Sequence, residues 1–130
     1  MSFLPQFPAA AMACIALCSL TVQPSHAQAP AAKAPAYYLS EFEVTDVEGI
    51  KPYSAQVEAT FKPFGGHYIA RGGQVRSLEG EAGKRIVMIA FPSLAQAQAW
   101  YDSPAYREIR PIRLRSATSR VYVVEGVSAP

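Results

Sequence analysis

The chain has 130 residues, of which 50% are apolar, with twelve basic and ten acidic side chains and a formal net charge of +2. That length holds one domain, and the charge is too small to argue for nucleic acid or an anionic membrane surface as partner. No charged residue precedes Lys33, so an uncharged apolar leader is followed by a small charged domain.

Ala9 to Val22 is an apolar run of about fourteen residues. It is shorter than the roughly 20 residues a membrane-spanning helix needs and fits a signal-peptide core. Pro24 breaks the run, and Ser25 and Ala27 supply the small side chains required before a cleavage point after Ala27. Residues 1–27 are expected to be an export signal, which gives a periplasmic or secreted product without a stable membrane anchor. Cys14 and Cys18 both lie in that leader, so the mature chain has no disulfide and no thiol chemistry. Residues 28–36 are Pro/Ala-rich and read as an extended tether. The domain is expected over residues 37–127, with a tail at 128–130.

Tyr37 to Thr45 is aromatic and β-branched and reads as a strand. Thr45 or Asp46 is placed to cap a helix, with Glu48 three residues after Thr45. Ile50, Tyr53, Val57, Phe61 and Phe64 then recur at spacings of 3, 4, 4 and 3, one face of an amphipathic helix. Regular helix is expected from Pro52, and Pro63 with Gly65-Gly66 should end it. His67 to Arg71 is a second strand, interrupted at Gly72-Gly73 by a bulge or bend and continued over Gln74 to Leu78. Lys84 to Phe91 is the most apolar strand and the candidate for the sheet centre. Ser93 and Gln96 form a capping box for a helix over Leu94 to Tyr101. Ser103 caps a second piece that opens on Pro104, and Pro111 should kink or end it. Ser119 to Glu125 is the last strand.

The order β-α-β-β-α-β over about 90 residues is an α+β, ferredoxin-like arrangement: a four-stranded antiparallel sheet with helices on one face. The third strand is apolar on both faces, Val87, Ile89 and Phe91 against Ile86, Met88 and Ala90, and the fourth strand is similar. Two helical segments cover only one face. A second copy packed sheet to sheet is the expected cover, giving a homodimer.

Several landmarks occur in order: Val44-Thr45-Asp46, Tyr53, Gly65-Gly66, Arg71-Gly72-Gly73, Glu79-Gly80, Phe91-Pro92-Ser93, and Trp100-Tyr101-Asp102-Ser103-Pro104-Ala105-Tyr106 with Arg113 downstream. Together they resemble the domain-of-unknown-function family numbered 1330, within the dimeric α+β barrel superfamily. The resemblance spans nearly all of Tyr37 to Val127. It implies the ferredoxin-like fold and the sheet-to-sheet dimer, and it supplies no function. The superfamily includes cofactor-free monooxygenases, isomerases, haem enzymes and plain ligand-binding modules. Pro52 and Pro111 depart from the family pattern.

His67 and Arg71 are four apart on a strand, which points both to one face. They offer a general base and an anion holder, or else a strand-start histidine near solvent and an arginine bonded to loop carbonyls. Trp100, Tyr101 and Tyr106 either line an apolar pocket, with a phenol as hydrogen-bond donor, or pack the core. Arg107, Arg110, Arg113 and Arg115 form a basic run that accepts an anion or a partner, or is a solvated helix face. Glu41 and Glu43 share a face and stand ready to pair with Arg71 or Arg85. A single mature histidine and no cysteine leave too few ligands for a usual zinc or copper site, and no phosphate-binding glycine loop is present.

Three functions are carried forward. The first is a binding module that takes a small organic ligand in a cleft, without cofactor, through Arg71, Trp100, Tyr101, Tyr106 and Arg113. The second is a cofactor-free monooxygenase or isomerase with Tyr101, His67 and Arg71 as acid, base and anion holder. The third is a structural or partner-binding dimer with no ligand site.

Overall fold

The computed structural model describes residues 1–3, 33–81 and 85–129. The expected signal beyond its first three residues, most of the tether and Lys84 lie outside the described residues. Among the described residues no helix is long and apolar enough to cross a membrane.

The elements run β1 (Ala36–Val44), α1 (Lys51–Phe61), β2 (His67–Arg71), β3 (Arg85–Phe91), α2 (Leu94–Tyr101), α3 (Pro104–Ser116) and β4 (Ala117–Glu125). The strands form one antiparallel sheet in the order β2-β3-β1-β4. The fold is α+β and ferredoxin-like, with three helices on one face. Tyr38 and Phe91 from the sheet meet Phe61 of α1, Trp100 of α2 and Tyr106 of α3 in the core, all at most 2% exposed.

Local chemistry sets most element ends. Ser93 Oγ accepts from the Gln96 amide at 3.2 Å and Ser103 Oγ from the Tyr106 amide at 3.3 Å, so both expected serine caps form. The cap expected at Thr45 or Asp46 does not. Asp46 Oδ1 instead accepts from the Gly49 amide at 2.9 Å, closing a turn in the way aspartates favour, and α1 starts after Ile50 with no side-chain cap. Pro63 lies in a 3₁₀ turn over Lys62–Phe64, closed by Gly65 at φ 75°. A side chain at Gly65 would also bring its Cβ within 2.8 Å of Pro92.

Two expected boundaries are corrected. α3 does not end at Pro111 but continues to Ser116. Its inward residues Tyr106, Ile109, Arg113 and Ser116 keep the 3, 4, 3 spacing and are all buried, and packing of that face outweighs the backbone bond lost at an exposed proline. β2 does not continue over Gln74 to Leu78. Gly72 takes φ 63° and donates its amide to the Ile86 carbonyl at 3.1 Å, turning the chain off the sheet edge.

The face away from the helices carries Leu39, Ile86 and Met88, which are half-buried, and Tyr122 and Val124, which are 43% and 49% exposed. On this face Glu41 pairs with its cross-strand neighbour Arg120 at 2.7 Å, rather than with Arg71 or Arg85.

Candidate functional site

The helix-side face of the sheet is not fully filled. Tyr38, Ser40 and Phe42 alternate inward along β1, with Val87 and Ile89 beside them on β3. α1 sets Ile50, Tyr53 and Val57 opposite, and between them lies a cavity of about 300 Å³. That is the small end of the volumes that hold organic ligands, about 300–1,000 Å³.

The inner end is polar. Arg113, from the inward face of α3, lines the cavity and is 3% exposed. Its Nη1 donates to Ser119 Oγ, while Nε has no hydrogen-bond partner among the described residues. Tyr38 Oη and Ser40 Oγ line the same cavity and also lack a partner there. The hydroxyls of Tyr106 and Ser40 come near enough to act on the Tyr38 phenol without reaching hydrogen-bond geometry. Tyr53 Oη lies 3.3 Å from Tyr106 Oη. Burial, reinforced by the neighbouring Tyr106, pushes the phenols of Tyr38 and Tyr53 well above the usual tyrosine value. At neutral pH they are protonated donors.

The outer end is open and cationic. Ser54, Arg71, Gly72 and Arg85 line the cavity and are exposed. The Arg71 guanidinium lies 4.6 Å from the centre of the Tyr68 ring and 3.6 Å from Glu58 Oε2. Arg85 lies 5.8 Å from the Phe42 ring centre.

The structure brings together only some of the residues the sequence singled out. Arg71 and Arg113 reach the cavity, one at its mouth and the other at its base. Trp100 is 0% exposed and does not line it. Its Nε1 donates to Thr60 Oγ1 at 2.9 Å, and its ring sits 4.3 Å from Tyr106, 5.0 Å from Tyr38 and 5.3 Å from Phe91 between centroids. Tyr106, also fully buried, stands behind the lining, in contact with Tyr53. Tyr101 packs against Tyr106 with Arg110 4.9 Å from its ring centre, also off the cavity.

His67 and Arg71 do not share a face. A bulge between Tyr68 and Ala70 adds one residue to β2, so His67 pairs with Ala90 while Arg71 pairs with Val87. Ala90 and Val87 lie on opposite faces of β3, and only Val87 lines the cavity. His67 is exposed on the face away from the helices. The set His67, Arg71 and Tyr101 therefore does not converge. Among the described residues no three His, Cys, Asp or Glu side chains cluster as metal ligands would.

Tyr38, Ser40 and Tyr53 were not expected at the site. For Tyr38 and Ser40 the signal was present in β1: a serine on the inward face of a central strand, between Tyr38 and Phe42, is a polar residue where an apolar one belongs.

Residues 35–127 match the model of the family described as Domain of unknown function (DUF1330). Among solved structures, a Rhodopseudomonas palustris protein of unknown function is 20% identical with a TM-score of 0.61, the match covering 75% of this chain and 85% of that one. SnoaB, a cofactor-independent oxygenase from Streptomyces nogalater, is 10% identical with a TM-score of 0.54, covering 74% of this chain and 96% of that one. These likenesses are of fold. No curated protein matches the sequence.

Proposed function

The chain belongs to the DUF1330 family, and on that premise we propose that it binds a small organic molecule in the cavity between α1 and the sheet. The observation that carries this reading is the pairing of apolar walls with Tyr38, Ser40 and Arg113, three buried polar side chains that line one cavity and have atoms without partners. Unpaired buried polar groups each cost about 1–3 kcal/mol, and a ligand that meets them at once offsets that cost.

The geometry favours binding over the monooxygenase or isomerase reading. Among the described residues no histidine or carboxylate lines the cavity, so none of them places a general base there, and His67 faces away. A purely structural module is disfavoured because the core beneath α1 is left open. The chain is further proposed to be exported, on the strength of its leader, and to pair with a second copy through the apolar face of Leu39, Met88, Tyr122 and Val124.

A fragment screen by thermal shift tests the binding reading. Hits are expected with the natural protein and should vanish in Val87→Phe, which sets a larger side chain in the cavity wall and whose own melting curve checks that it folds. Hits that persist in Val87→Phe would place binding elsewhere, and a screen without hits would overturn the reading.

A further inference from the structure

We infer that the ligand is a small organic acid whose carboxylate sits against Arg113, Tyr38 and Ser40; this rests on the cavity being a ligand site. The argument begins with charge. Among the described residues, the ionisable side chains lining the cavity are three arginines and three tyrosines, with no carboxylate. Arg113 is 3% exposed and makes no ion pair with a carboxylate among the described residues. Its bond to Ser119 goes to a neutral oxygen. Among the described residues this guanidinium is therefore nearly enclosed by protein without a carboxylate counter-charge, whereas buried charges are ordinarily paired.

The partners around it select the ligand group. A guanidinium only donates hydrogen bonds, and the hydroxyls of Tyr38 and Ser40 can turn their hydrogens toward a shared acceptor. Three such donors lining one cavity suit a group with several acceptor lone pairs and a negative charge. A carboxylate also fits the planar fork of arginine. The rest of the wall, including Phe42, Ile50, Val57 and Ile89, is apolar and suits a ring or short hydrocarbon body. The cavity volume of about 300 Å³ limits that body to a small one.

Arg71 and Arg85 are not equivalent anchors. Both are exposed at the mouth, and Arg71 already has Glu58 at 3.6 Å, so neither carries the desolvation cost that Arg113 does. Their charge raises the local concentration of anions at the entrance.

The test uses the purified protein and three acids, benzoate, phenylacetate and cyclohexanecarboxylate, each beside its neutral amide. The fluorescence of Trp100, the single tryptophan, reports binding through its contact with Tyr38. Each acid should bind at least about tenfold more tightly than its amide, the range of a hydrogen bond to a charged group. Arg113→Met should remove that preference and leave the melting temperature of the ligand-free protein unchanged or raised. Tyr38→Phe, which keeps the ring against Trp100, should lower acid affinity about threefold to tenfold.

Equal binding of acids and amides would overturn the acid assignment and leave the cavity reading standing. Loss of stability in Arg113→Met, together with unchanged acid preference in Tyr38→Phe, would make Arg113 a structural residue and overturn the inference. If neither series binds, the inference falls, and the fragment screen decides separately whether the cavity reading falls with it.

Discussion

Tyr38 and Tyr53 hold their protons because the phenolate would have to form away from water, beside another phenol. A free tyrosine ionises near pH 10. With the folded value raised above the unfolded one, the stability linked to these phenols is complete below about pH 10. It is lost as pH rises further, because the unfolded chain releases protons that the folded chain retains. In an absorbance titration of the seven tyrosines, the last phenolates should therefore appear together with base-induced unfolding, seen as exposure of Trp100. Reversible ionisation of all seven in the folded protein would contradict this. Single residues also decide who reaches the cavity: one extra residue in β2 turns Arg71 inward and leaves His67 outside. No residue type near Ile69 announces that bulge, which precedes the interruption expected at Gly72-Gly73.

The elements themselves were largely legible. The apolar spacing of α1, the serine caps of α2 and α3, and the four strands follow from local rules, and the observed ends differ by a residue or two. The exceptions arise where tertiary packing overrides local preference. α3 passes through Pro111 because Ile109, Arg113 and Ser116 are buried on its inward face, and breaking the helix there would move Arg113 off the cavity. Pro111→Ala should restore one backbone bond and stabilise the protein by about 1–2 kcal/mol, less than the full proline penalty because the unfolded chain also gains freedom. Urea unfolding checks this. A loss of stability would mean that Pro111 shapes the helix rather than being tolerated in it.

At the scale of the molecule, helices cover one sheet face and the other presents Leu39, Ile86, Met88, Tyr122 and Val124 beside the Glu41–Arg120 ion pair. A stable interface buries roughly 1,200–2,000 Å² in total, and that is the size the proposed sheet-to-sheet dimer has to reach. Native mass spectrometry of the protein recovered from the exporting cell should give a dimer of chains that begin at Gln28. A monomer would remove the dimer proposal, and a chain retaining its leader would remove the export proposal. Val124→Asp should shift the population toward monomer. By itself the sequence determined the ferredoxin-like order of elements, the two-sided apolar character of the sheet and the family. Those properties reside in periodicity and in motifs that neighbouring residues carry together. Only the tertiary structure decided the candidate site. The cavity is a gap between β1, β3, α1 and α3, so its lining residues are distant in sequence. Whether Trp100 fills the core and Arg113 faces the gap depends on how the layers meet, which no local pattern encodes.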